Sequence, residues 1–176
     1  MSVKKLVTCS MCVALSVVTN LIRIYTFPFG GSITLFSMLF VMLPAWFYGI
    51  KEGTISGLIF GILQFIIQPY FLSVPQVFLD YILAFSIMGI AGLFCNKKNG
   101  LITGYIIAVI ARWIVATFAG LAWFKAGMAA WDGWSPLPYS MVYNAIYIFA
   151  EASVTIIILM IPAMRKALEN VKSSVL

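Results

Sequence analysis

Three ionisable residues stand inside long apolar runs of this 176-residue chain: Asp80, Arg112 and Glu151. A charge in hydrocarbon is costly, so each of them reads as either functional or paired. Asp80 follows Gln76 by four positions, which places both on one face of a helix. It falls only a few residues below one membrane surface and has no obvious cationic partner, so it is the candidate for meeting a ligand. Arg112 lies about 11 residues into its run and Glu151 about 12 into the next, which brings both near the midplane of antiparallel neighbours at 1.5 Å per residue. That placement fits a buried ion pair fixing helix packing, with a direct substrate role as the alternative.

Hydrogen-bonding and aromatic residues gather nearby in sequence. Asn144, Tyr147 and Glu151, at i, i+3 and i+7, share a helix face. Trp123, Trp131, Trp134, Tyr139 and Tyr143 precede or interleave with them. Some of these rings belong to the headgroup-level belt expected of membrane proteins. Together, a carboxylate, an amide and several rings describe a pocket for a flat, cationic, hydrogen-bonding molecule.

Other chemistry is missing. The chain has no histidine, which excludes Ser-His proteolysis and His-ligated metal sites. Cys9 and Cys12 form a Cys-x-x-Cys pair, but inside an apolar helix and far from Cys95 they read as packing residues. No phosphate-binding Gly-rich loop is present, so ATP-driven work needs a partner. The expectation is a protein without catalytic residues, cofactor or metal.

These side chains must be positioned by elements that suit lipid. Hydrophobic residues make up 63% of the chain and charged ones 9%, with a mean hydropathy of +1.07. Too little polar surface remains to clothe a soluble globule. The reading is an all-α bundle of six transmembrane helices forming one domain over residues 1–176, with spans at roughly 6–25, 33–50, 54–71, 76–95, 101–124 and 139–163. Pro, Gly and charged residues mark the breaks, as in Phe27-Pro28-Phe29-Gly30-Gly31 and Asn96-Lys97-Lys98-Asn99-Gly100. Lys4 and Lys5 before an apolar run imitate a signal peptide, but no small-residue cleavage site follows, so the run is taken as helix one.

On that layout one side holds Lys4, Lys5, Lys51, Lys97, Lys98, Arg165, Lys166 and Lys172, and the other only Arg23 and Lys125. The positive side is expected in the cytoplasm, with both termini there. The net charge of +6 then reflects topology and contact with anionic membrane lipid; no nucleic-acid module is present. Gly53, Gly57 and Gly61 recur at every fourth position and make helix three a central packing element. Ser10 and Ala14 form a similar step on helix one, for internal packing or for docking another membrane subunit.

The run from Pro75 to Phe85, PQVFLDYILAF, followed by Gly89-Ile90-Ala91-Gly92-Leu93-Phe94, resembles the fourth helix of thiamine-specific S-components of energy-coupling factor (ECF) transporters, the ThiT or YuaJ family. Tyr139-Ser140-Met141-Val142-Tyr143-Asn144, with Tyr147 and Glu151 after it, resembles that family's sixth-helix motif. Gly30-Gly31-Ser32-Ile33 and the Gly57-to-Tyr70 segment extend the likeness over nearly the whole chain. The resemblance implies a six-helix subunit of the bacterial cytoplasmic membrane that captures thiamine from outside. It would pass the vitamin inward with an ECF transmembrane coupling subunit and two ATP-binding subunits. It implies that Asp80, Tyr81, Tyr139 and Asn144 line the site, with Trp123, Trp131 or Trp134 stacking on the ligand, and that Ser10 and Ala14 dock the coupling subunit; Tyr147, on the Asn144 face, is expected to join the site. One departure is Ala116, where family members often carry a histidine. The alternatives are a stand-alone proton-coupled carrier, an S-component for another ring-containing vitamin, and a purely structural membrane subunit.

Overall fold

The computed structural model describes residues 2–71, 73–124 and 133–176, and among them the chain is almost wholly helical. Five helices have the length and apolarity to cross a membrane: α1 (Val3–Leu21), α3 (Ile50–Ile67), α4 (Val74–Phe94), α5 (Gly100–Phe124) and α6 (Pro136–Leu159). Two further helices, α2 (Ser37–Tyr48) and α7 (Pro162–Val175), and a two-stranded hairpin of β1 (Arg23–Thr26) and β2 (Ser32–Thr34) joined through a short 3₁₀ turn, Pro28–Gly30, complete the described elements.

The second expected span, 33–50, is thus replaced by a strand and a 12-residue helix. At 1.5 Å per residue α2 is about 18 Å long, too short to cross a hydrocarbon core of about 30 Å. It has no need to face lipid. Val41, Met42 and Ala45 are fully buried and most of its other residues nearly so, because α2 is apolar all round and its neighbours enclose it. The first span likewise ends at Leu21 rather than 25, since residues 23–26 leave the helix to pair with β2.

Successive passes run antiparallel, and close glycine contacts show how tightly they meet. A Cβ on Gly57 would stand 2.2 Å from the Phe85 carbonyl oxygen, and one on Gly61 1.8 Å from that of Tyr81. Only glycine admits backbones that near. The Gly61 contact falls on a π-helical turn, Phe78–Leu83, within α4. That turn contains Asp80 and Tyr81.

The antiparallel order sorts the molecule into two ends. One gathers the starts of α1 and α3, the end of α2 and the 95–100 turn: Lys5 pairs with Glu52 at 3.4 Å and lies over the Tyr48 ring. Amphipathic α7 lies against this end. Its Leu168 and Val175 pack on the core, Arg165 donates to the Lys98 carbonyl at 3.1 Å and Asn99 Oδ1 at 2.7 Å, and Lys172 sits over Trp46 and donates to the Cys95 carbonyl. All eight basic residues assigned to one side belong to α1, α3, α7 or the turn 95–100 at this end. The opposite end carries the hairpin and a cavity.

Candidate functional site

The cavity beneath the hairpin measures about 130 Å³, counted as the space open to water-molecule centres. Its walls come from every pass. Asn20 ends α1; Gly30, Gly31 and Thr34 belong to the hairpin; Gln64 ends α3. Gln76, Asp80, Tyr81 and Phe85 come from α4, Arg112, Ala116 and Gly120 from α5, and Tyr139, Tyr143, Asn144 and Tyr147 from α6.

Asp80 opens onto this space. Gln76 Nε2 donates to its Oδ2 at 2.8 Å, so an amide orients the carboxylate and no basic side chain lies within ion-pair distance among the described residues. Gln76 itself is 1% exposed, which fixes the donor in place. Tyr81 contributes its ring as wall, in edge contact with Phe65 at 5.1 Å between centroids. Its hydroxyl is engaged elsewhere: it donates to the Gln68 carbonyl at 3.0 Å and accepts from the Tyr70 N–H at 3.1 Å. Tyr81 therefore holds the 68–70 loop, and the Tyr70 ring lies under Gly30, whose φ of +92° suits only glycine.

The expected Arg112–Glu151 pair does not form. Glu151 accepts from Thr34 Oγ1 at 2.6 Å, from Ser37 Oγ at 3.1 Å and from the Met38 N–H at 3.0 Å. It caps the N-terminus of α2 from a neighbouring helix, where a carboxylate complements the exposed N–H groups and the positive end of the dipole. The cap sits beside Phe36, whose φ of 65° is a left-handed conformation costly for a bulky residue. Arg112 instead lies over the Phe85 ring, its guanidinium carbon 4.4 Å from the centroid, and faces the cavity. A residue count along each helix does not contain azimuth around the bundle, which here turns the two side chains to different partners.

On α6, Tyr139 is 2% exposed and stacks on Tyr143 at 6.0 Å. Asn144 Nδ2 donates to the carbonyls of Ala116 at 3.2 Å and Ser140 at 2.9 Å and approaches Ser140 Oγ at 3.2 Å, while its Oδ1 accepts from the Tyr147 hydroxyl at 2.6 Å. Its amide is thus bonded inside the protein, joining α6 to α5 and fixing Tyr147. Tyr143, which the sequence marked only as one ring among several, clamps the hairpin: its hydroxyl donates to the Pro28 carbonyl and accepts from the Gly31 N–H at 3.0 Å. Gly31 is required there, since a Cβ would come 2.7 Å from that hydroxyl and 2.9 Å from the Tyr147 ring.

Other expected residues lie elsewhere. Trp134 is 45% exposed and is not part of the cavity wall. The side chain of Trp123 and all of Trp131 fall outside the described residues. Ser10 and Ala14 are exposed on α1 beside Leu6, Met11 and Val18, so internal packing does not account for them. Asn20, Gln64 and Tyr70 were not singled out from sequence. Their only signal is that each polar residue closes an apolar run at this end of the bundle.

A helical membrane bundle with a polar cavity closed by a hairpin defines a solute-binding membrane protein. Residues 6–170 match the family of thiamine transporter proteins, Thia_YuaJ, and the chain belongs to that family. It is 32% identical over 146 residues to the thiamine transporter ThiT of Bacillus subtilis (strain 168), covering 75% of this chain and 74% of that one. The fold is similar to a solved structure of ThiT from Listeria monocytogenes, with a TM-score of 0.72 and 24% identity over 91% of this chain and 96% of that one. The family is one of transporters, not enzymes.

Proposed function

We propose that this chain captures thiamine at the hairpin end of the bundle and releases it inward by working with an ECF transmembrane coupling subunit and two ATP-binding subunits. The observation that carries the reading is Asp80: a carboxylate turned by an amide into an aromatic-walled cavity that Arg112 also lines, with no basic side chain in ion-pair distance among the described residues. A fixed thiazolium cation is the complement of that arrangement, gaining both the carboxylate and ring faces. Tyr139, Tyr143 and Tyr147 supply ring surface, and Arg112, free of Glu151, is placed for the ligand's polar groups. Tyr81 and Asn144 act by holding neighbouring cavity walls in position. A stacking or lid role for Trp123, Trp131 or Trp134 belongs to the same proposal.

The hairpin end is assigned to the outside and the lysine-rich end, with both termini, to the cytoplasm of a bacterial cell, in accord with the positive-inside bias. The exposed small-residue step of Ser10 and Ala14 on α1 is assigned to coupling-subunit docking, since small residues let another helix approach closely.

The test is purification in mild detergent and titration with thiamine, read by tryptophan fluorescence, with mass spectrometry of any small molecule that co-purifies. Saturable binding in wild type and its loss in Asp80→Asn are expected. No binding by wild type, or pH-gradient-driven thiamine uptake into vesicles containing this chain alone, would overturn the proposal.

A further inference from the structure

A second cavity, about 270 Å³ by the same measure, opens at the lysine-rich end between the 95–100 turn and α7. Lys97, Lys98, Arg165 and Lys172 line it together with one acid, Glu169, so it holds three net positive charges. Among the described residues only Arg165 of these four has an ion-pair partner, Glu169 at 3.2 Å. The hydrogen bonds of Arg165 and Lys172 to the Lys98 and Cys95 carbonyls fasten α7 but cancel no charge. Lys172 stands over the Trp46 ring at 4.5 Å, and burial holds its ammonium below the usual lysine range. A cleft lined by one sign of charge beside low-dielectric walls focuses the field and draws counter-ions into it.

We propose that this cavity binds the phosphate headgroup of an anionic membrane lipid. A free phosphate offers the same anion, and it is the placement that favours the lipid. α4 ends at Phe94 and α5 starts at Gly100, so the turn between them leaves the apolar spans at the depth of the headgroups. α7 begins two residues beyond the end of α6 and suits that surface. Met164 and Val171, seven apart, share an exposed flank, while Arg165 and Lys172, also seven apart, share the flank that lines the cavity. An apolar flank beside a basic one is the pattern of a helix lying in the membrane interface, and basic pockets among the ends of spans suit phosphate headgroups. The site is independent of thiamine capture at the opposite end of the bundle, and its occupant ties α7 to the 95–100 turn.

The experiment adds phosphatidylglycerol, phosphatidylcholine or inorganic phosphate to the full chain in mild detergent, and reads native mass spectra and melting temperature. Phosphatidylglycerol is expected to stay bound and to raise the melting temperature, where phosphatidylcholine and inorganic phosphate do not. Lys97→Gln combined with Lys98→Gln should weaken its binding roughly 10- to 30-fold, the effect of two basic contacts with an anionic lipid. Lys4→Gln combined with Lys166→Gln removes the same charge from the same end but outside the cavity, and should cost far less. Glu169→Gln, which deletes the one acid in the wall, should bind phosphatidylglycerol more tightly than wild type. Equal losses in the two double variants, no preference of wild type for phosphatidylglycerol over phosphatidylcholine, or weaker binding by Glu169→Gln would overturn the site. Stabilisation by inorganic phosphate as strong as by the lipid would overturn the lipid as its occupant. Should the Lys97 and Lys98 double variant fail to fold, the headgroup preference of wild type and the Glu169 variant still decide.

Discussion

Gln76 and Asp80, four residues apart at the start of α4, are joined by a 2.8 Å amide-to-carboxylate hydrogen bond that leaves the other Asp80 oxygen without a protein donor among the described residues. The carboxylate is aimed yet in no close ion pair among the described residues, an arrangement that favours a cationic occupant. Asp80→Asn is therefore expected to weaken thiamine binding by ~2–5 kcal/mol, as for removal of one partner from a desolvated charge pair. Gln76→Leu, which keeps the charge but frees its orientation, should cost less, about 1–2 kcal/mol. Fluorescence titration of the two variants orders them, and equal losses would show that Gln76 does more than orient.

Glu151 and Arg112 should behave independently. Glu151→Ala removes the acceptor for Thr34, Ser37 and the Met38 N–H, so ligand-free protein should lose about 2–4 kcal/mol, seen as a lowered melting temperature in detergent. Arg112→Met should melt close to wild type and lose ligand affinity instead. A double-mutant cycle between them should show a coupling below about 0.5 kcal/mol, where a buried ion pair would give far more.

Tyr143→Phe deletes the hydroxyl that ties Pro28 and Gly31 of the hairpin to α6. Loosening a cover over a bound ligand acts mainly on escape, so dissociation should quicken roughly 10-fold with little change in association. Stopped-flow displacement of bound thiamine measures this. Gly31→Ala should be more damaging, because its Cβ would meet both Tyr143 and Tyr147 and hold the hairpin away from its seat.

Gly61→Ala tests the seat of the π-helical turn. Its Cβ would fall 1.8 Å from the Tyr81 carbonyl oxygen, so α4 must move and the Asp80 turn with it. A loss of about 1–3 kcal/mol in stability is expected, together with weaker thiamine binding. Gly49→Ala is not a neutral control despite open space around it, because its φ of +105° disfavours any side chain. Gly104→Ala, whose Cβ would lie no nearer than 3.1 Å to its neighbours, is the milder comparison on α5.

Composition and spacing alone determined that the chain belongs in lipid, where its long apolar runs lie and which ends of them share charge, because burial in hydrocarbon constrains every residue of a run at once. Intramembrane Asp80 and the Tyr139–Tyr147 face of α6 were legible for the same reason: polar groups in such a setting stand out. Tertiary structure decided the rest. Whether Glu151 meets Arg112 or the start of α2 depends on rotation about helix axes, which a count of residues to the midplane does not contain. That residues 33–50 are a strand and a short helix returning the chain from the hairpin to the opposite end follows from neighbours that enclose α2 and shield it from lipid. Asn20 is the plainest case, an ordinary polar residue at a helix end in the sequence. Only the packing shows that it ends in the wall of the cavity, with its Oδ1 enclosed and unpaired.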